Sequence, residues 1–232
     1  IRAHTIRGLP SPCDTRMVKS TLRGIRRVHG SAVKQAKPLD TKILRAITTP
    51  SKAFSQLCNL RDRALLLTGY WGGFRRSELV GLALSDLTFT KLGVVVHLRT
   101  SKTDSARKGR DVALPFAKPT QCPVRALQAW INASNSTDAN AAVFRRIDRY
   151  GHLHSDALNS ASVGWILRQR MVAAGICTKG YSAHSLRAGF VTSAAKAGVP
   201  TWAIQRQTGH RSEQMVHRYI RGLGLFEQNA AA

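Results

Sequence analysis

The chain has 232 residues and carries 36 Lys and Arg against 12 Asp and Glu, a net charge of +24. That length can bury a sizeable core, and the charge predicts a polyanionic partner, nucleic acid before membrane. No apolar run approaches the roughly 18 residues that a spanning helix needs, and the four cysteines, Cys13, Cys58, Cys122 and Cys177, form no CxxC pair, which argues against a structural zinc site or a disulfide framework. The opening IRAHTIRGLP has neither a methionine nor a signal-type apolar stretch, so a fragment of a longer chain is expected.

Residues 1–39 hold nine Lys or Arg and one acid. Within them DTRMVKSTLRGIRRVHG places Met17, Val18, Leu22, Ile25 and Val28 on one face among basic residues, the pattern of a basic amphipathic helix. SAVKQAKPLD then reads as a linker. Asp40 is placed to cap a helix over TKILRAI, and KAFSQLCNLRDRALLLTGYWG predicts a longer helix that the glycines stop. A shorter helix starts near Ser77. The period changes in LTFT, GVVVHLRTSK and RDVALP, β-branched runs between turn residues that predict a small antiparallel meander. Helices resume with CPVRALQAWINAS, where Pro123 suits a first turn. After a Ser/Asn/Ala loop from 135 to 142 come SASVGWILRQRMVAAG, SLRAGFVTSAAKAG, PTWAIQRQTG and SEQMVHRYIRG, then an apolar tail. The expected fold class is mainly α with a small antiparallel β-sheet.

Several polar residues stand out by spacing. His184 and Arg187 lie at i and i+3 and share a helical face. His210 follows a glycine where a helix should stop, and Tyr219 comes nine residues later. Upstream, GGFRRSELVGL puts Arg75 at the mouth of a helix with Glu78 three residues on. Each has an ordinary structural explanation when taken singly. His217 falls on another face from Tyr219, and HLH at 152–154 is read as loop or strand, since two imidazoles alone are weak evidence for a metal.

Taken in order, Gly-Phe-Arg-Arg-Ser-Glu-Leu, a sheet with SKTD at a turn, His-x-x-Arg, Gly-His and Tyr resemble the catalytic domain of a tyrosine recombinase of the phage-integrase kind. The resemblance runs from about Leu39 to the end and implies a catalytic domain over 39–232. Residues 1–38 resemble the end of the family's core-binding domain plus a basic linker. It implies that Tyr219 attacks a scissile DNA phosphate and becomes linked to the 3′ end. Arg75 and Arg187 would grip the non-bridging oxygens, His184 would assist proton transfer at the tyrosine, and His210 would donate to the phosphate. Glu78 would support an arginine or its loop. Lys102 would protonate the departing 5′ oxygen, with Lys108 in the same segment as the alternative. Arg23, Arg26, Arg27, Lys34, Lys37 and Arg76 are the candidate DNA-backbone contacts.

The chemistry is consistent with those roles. Fixed cations stabilise the charge that gathers on phosphate oxygens, and arginine does so with a planar fork that stays charged. A phenol with a pKa near ~10 needs a proton acceptor or nearby cations, and a lysine among arginines has its pKa pushed toward that of a useful acid. Twelve scattered acids offer no carboxylate cluster for a two-metal site, so neither metal nor cofactor is expected. The resemblance further implies double-stranded DNA as partner, a homo-oligomer that is tetrameric in synapsis, and a place in the cytoplasm or nucleoid. Two rival readings remain. One is a type IB topoisomerase-like or hairpin-forming enzyme, and the other is a DNA-binding relative without cleavage.

Overall fold

The computed structural model describes residues 2–30, 35–99 and 109–220. The chain divides into two compact units, one up to Gln35 and one from Ala36. The first holds α1 (Arg2–Ile6) and α2 (Arg16–His29). Thr15 caps α2, its hydroxyl accepting from Val18 N at 3.4 Å. The expected amphipathic helix is present, yet none of its residues is buried. Met17 and Val28 are 78% and 79% exposed.

The second unit opens with α3 (Thr41–Thr48), where the Asp40 carboxylate accepts from Lys42 N at 2.5 Å, the cap that the sequence predicts. Next is α4 (Gln56–Trp71), which starts later than the sequence pattern implies because Ser55 caps it through Cys58 N. Ala64 to Leu67 and Tyr70 of α4 are wholly buried, so it is the central helix and its C-terminal half is buried around its circumference. The short α5 (Arg76–Val80) ends at Gly81.

The meander then forms from β1 (Leu87–Thr90), β2 (Gly93–Leu98) and β3 (Arg110–Pro115), antiparallel in that order. Val96 faces Val112 and Val94 faces Leu114 in register, and these four side chains are buried on one face, as the two-residue period requires. After α6 (Pro123–Ser134) comes a hairpin absent from the sequence reading, β4 (Arg145–Ile147) with β5 (Leu153–Ala157). Its turn is held by Asp148, whose Oδ2 bonds His152 Nδ1 (3.2 Å) and His154 Nε2 (3.1 Å). Four helices complete the unit: α7 (Ser160–Ala173), α8 (His184–Lys196), α9 (Thr201–Thr208) and α10 (Glu213–Ile220). Among the described residues no helix is long and apolar enough to cross a membrane.

One core runs through α3, α4, α6, α7 and the sheet, with Trp130 fully buried and its Nε1 donating to Val143 O at 2.6 Å. A smaller cluster of Val191, Ile204 and Val216 joins α8, α9 and α10, with Tyr219 packed against it. Within the main body a buried carboxylate ties α4 to α7. Asp62 Oδ1 accepts from Arg61 Nε (2.7 Å) and Oδ2 from Arg170 Nε (2.8 Å). Arg170 also bonds Asn59 Oδ1 and Cys58 O, and its guanidinium lies 3.9 Å from the Phe54 ring centroid. Asp62→Ala leaves two buried guanidinium groups without their carboxylate and should lower the unfolding free energy by about 3–5 kcal/mol, measured by urea denaturation.

Candidate active site

The site starts where α4 stops. Gly73 has φ +58°, and a Cβ there would come within 2.8 Å of Thr208 Cγ2, so a side chain is excluded on both counts. Arg75 is the N-cap of α5. Glu78, the third residue of that helix, reaches back so that Oε2 accepts from Arg75 N (2.9 Å) and Oε1 from Arg75 Nη1 (2.5 Å). The Arg-x-x-Glu spacing therefore closes a helix start and orients the guanidinium with one carboxylate, half of a capping box. Glu78 is only 6% exposed.

Arg187, in the first turns of α8, is 2% exposed. Both hydrogen bonds found for it use Nη1, to Gly73 O (2.6 Å) and Thr208 O (2.7 Å). Burial first, and then the Arg75 charge, lower its pKa to about 10, so it stays cationic at neutral pH. Arg75 Nη2 donates to Gly209 O at 3.3 Å. A third arginine that spacing did not single out, Arg110, opens β3. It donates from Nη1 to Gln207 O (2.5 Å) and from Nη2 to Thr208 O (3.2 Å), with Glu78 Oε2 at 3.5 Å. Three guanidinium groups thus meet at the last carbonyls of α9, the negative end of its dipole. Gly209 (φ +67°) ends that helix in the left-handed conformation. Among the described residues Glu78 is the one carboxylate seen to pair with these guanidinium groups, an arrangement of charge and donors that suits an oxyanion.

The remaining groups come from α8, α10 and the turn after α9. His184 Nε2 lies 2.6 Å from Tyr219 Oη. His210 is 5% exposed, and its ring centroid is 5.5 Å from that of Tyr219. The Thr208 hydroxyl donates to Ile204 O (2.7 Å), so its oxygen accepts from His210 Nδ1 (2.7 Å). In the neutral ring the other nitrogen, Nε2, then carries the lone pair. Partial burial and the Arg187 and Arg75 charges hold the His184 pKa below 6.5, although one edge of the residue stays exposed. Burial, Arg187 and Arg75 push that of His210 down to about 3. Both imidazoles are neutral at pH 7, which leaves His184 able to take a proton from the phenol.

An imidazole that resists protonation in the folded state stabilises the fold fully above its unfolded value, about 6.5. That contribution is lost as pH falls toward the folded value, here about 3 for His210. His210→Gln should therefore reduce the loss of unfolding free energy between pH 7 and about pH 5 by about 2 kcal/mol, read from urea melts at the two pH values.

The structure brings together Arg75, Glu78, Arg187, His184, His210 and Tyr219 from four separate stretches of the chain. Arg76 is exposed beside them, and His217 is exposed on another face of α10. Arg23, Arg26 and Arg27 are exposed on α2, and Lys37 is exposed with Nζ 5.1 Å from the Tyr181 ring centroid. Lys34, Lys102, Lys108 and the apolar tail lie outside the described residues.

Residues 39–223 match the phage integrase family. Over 226 residues the chain is 36% identical to an integrase/recombinase XerD homolog of Selenomonas ruminantium, covering 96% of this chain and 65% of that protein. Over 235 residues it is 24% identical to recombinase cre of Escherichia phage P1, covering 95% and 67%. Among solved structures it resembles the XerH site-specific recombinase in a post-cleavage complex with its palindromic difH substrate. That match has a TM-score of 0.65 at 21% identity and covers 84% of this chain and 52% of the other. It also resembles a lambda integrase dimer bound to a COC′ core site, with a TM-score of 0.63 at 16% identity, covering 96% and 57%. The class of fold is thus that of tyrosine-recombinase catalytic domains, mainly helical with small antiparallel sheets. The chain belongs to the phage integrase family. It spans about half to two thirds of the length of the proteins compared.

Proposed function

We propose that this chain is the catalytic part of a site-specific DNA recombinase that cleaves and rejoins strands through a covalent 3′-phosphotyrosine. The observation that carries the reading is the 2.6 Å contact between Tyr219 Oη and His184 Nε2 beside the Arg75–Arg110–Arg187 cluster. A phenol with a neutral base on one side and concentrated positive charge on the other is equipped to attack a phosphodiester. Membership of the phage integrase family supports the same chemistry.

In this reading Arg75 and Arg187 hold the non-bridging oxygens of the scissile phosphate. Tyr219 attacks phosphorus as His184 accepts its proton, and the bond from phosphorus to the 5′ oxygen breaks. Lys102 protonates that leaving oxygen. His210 Nε2 takes up a proton when the bound anion raises the ring's pKa, and the resulting N–H donates to the phosphate. Glu78 keeps Arg75 in register. Because Tyr219 meets His184 of the same chain, each subunit supplies its own nucleophile. Residues 39–232 form the catalytic domain, and 1–38 end a preceding core-binding domain. Arg23, Arg26, Arg27, Lys34, Lys37 and Arg76 contact the DNA backbone, so affinity falls steeply with salt. Strand exchange takes place between paired sites in a tetramer, inside the cell.

The test is covalent capture on a DNA duplex nicked beside the cleavage point, so that the released fragment cannot religate. Wild-type protein should yield an adduct attached to the 3′ side. Capture accompanied by relaxation of supercoils without joining of partner sites would replace the recombinase reading with the topoisomerase one.

A further inference from the structure

We infer that Arg110 is a positioning residue that fixes His210 by gripping the last turn of α9. This rests on the recombinase reading of the site. Arg110 is the first residue of β3, yet its guanidinium reaches the far end of a helix about 97 positions later in the chain. Nη1 takes Gln207 O and Nη2 takes Thr208 O, two carbonyls that the helix itself leaves open. Nη2 is also 3.5 Å from Glu78 Oε2, so the carboxylate that orients Arg75 is shared with Arg110. The side chain lies under Gly209, where a Cβ would approach Nε to 2.8 Å, and the guanidinium occupies the space of the missing side chain.

His210 follows directly. Its Nδ1 is held by the hydroxyl oxygen of Thr208, the residue whose carbonyl Arg110 and Arg187 both grip. Moving that turn moves the imidazole. Among the described residues the Nε of Arg110 is buried without a hydrogen-bond partner, and the two terminal nitrogens make the contacts seen. A lysine has one nitrogen and cannot span Gln207 O, Thr208 O and Glu78 together.

The experiment compares Arg110→Gln and Arg110→Lys, each alone and combined with His210→Gln, by single-turnover capture on the nicked duplex. DNA affinity and thermal melting are measured alongside. Histidine-selective 15N NMR on the same proteins follows the His210 ring, assigned as the signal that His210→Gln removes. Both single Arg110 variants should slow capture about 100-fold, the effect of a displaced catalytic group, with DNA affinity unchanged. The double variants should be no slower than the slower single variant, because both changes disable one group. The His210 Nδ1 signal should move in both Arg110 variants. Rate losses that multiply in the double variants would overturn the inference, as would an unmoved His210 signal. If wild-type protein captures no DNA, the recombinase reading fails, and the His210 signal alone still decides for or against Arg110. If Arg110→Gln does not fold, Arg110→Lys carries the comparison.

Discussion

Tyr219→Phe should abolish covalent capture of nicked DNA while leaving affinity for the same DNA unchanged. The substitution removes one oxygen. The ring keeps its place against Val191, Ile204 and Val216, so the small α8–α9–α10 cluster loses almost nothing. What disappears is the atom 2.6 Å from His184 Nε2, and no other hydroxyl is seen at that nitrogen among the described residues. Loss of the nucleophile should reduce capture by at least about 10⁴-fold, below detection on a denaturing gel. An adduct from the Phe variant would show that another residue attacks. Absence of adduct from wild type and variant alike, with tight binding by both, would mean a DNA-binding relative that does not cleave.

Arg187→Lys should cost nearly as much. It keeps the charge, so electrostatics alone predicts a mild effect. The geometry predicts a severe one, because Nη1 is already committed to Gly73 O and Thr208 O, and only the rest of the fork can turn to a phosphate. A lysine offers one nitrogen in place of the fork, so it cannot sit between the two carbonyls and also reach the place of the remaining guanidinium nitrogens. Capture should fall about 10³-fold, the loss that follows removal of a transition-state donor, measured as the single-turnover rate at saturating protein. A drop of less than tenfold would place Arg187 in a purely structural role.

Much of the second unit was legible because local chemistry and tertiary position agree. The Asp40 cap, Pro123 at the first turn of α6 and Gly209 at the end of α9 each act within a few residues, and the meander announces itself by β-branched alternation. The β4–β5 hairpin was not legible. Arg145–Ile147 and Leu153–Ala157 are short and polar. Their placement comes from contacts that no local pattern encodes, such as Val143 N to Leu82 O and Leu158 N to Phe144 O. In the site, Arg-x-x-Glu and His-x-x-Arg are visible because helical geometry fixes their spacing. Arg110 is invisible for the opposite reason. RDVALP reads as an ordinary strand, and only the fold brings its first side chain to the end of α9.

The end of α9 is also where the chain concentrates its risk. Arg75, Arg110 and Arg187 all lean on carbonyls at 207–209, and that helix is held with α10 by a cluster whose buried apolar members, among the described residues, are Val191, Ile204 and Val216. So thin a layer can come apart at far less cost than melting the main body. Its loss would remove both carbonyl contacts of Arg110 and the Thr208 O contact of Arg187 and would part Tyr219 from His184, while Arg75 keeps Glu78 and Arg187 keeps Gly73 O. On the proposed reading, the contacts at 207–209 couple the grip on the phosphate to the placement of the nucleophile, so a disturbance of that turn reaches both.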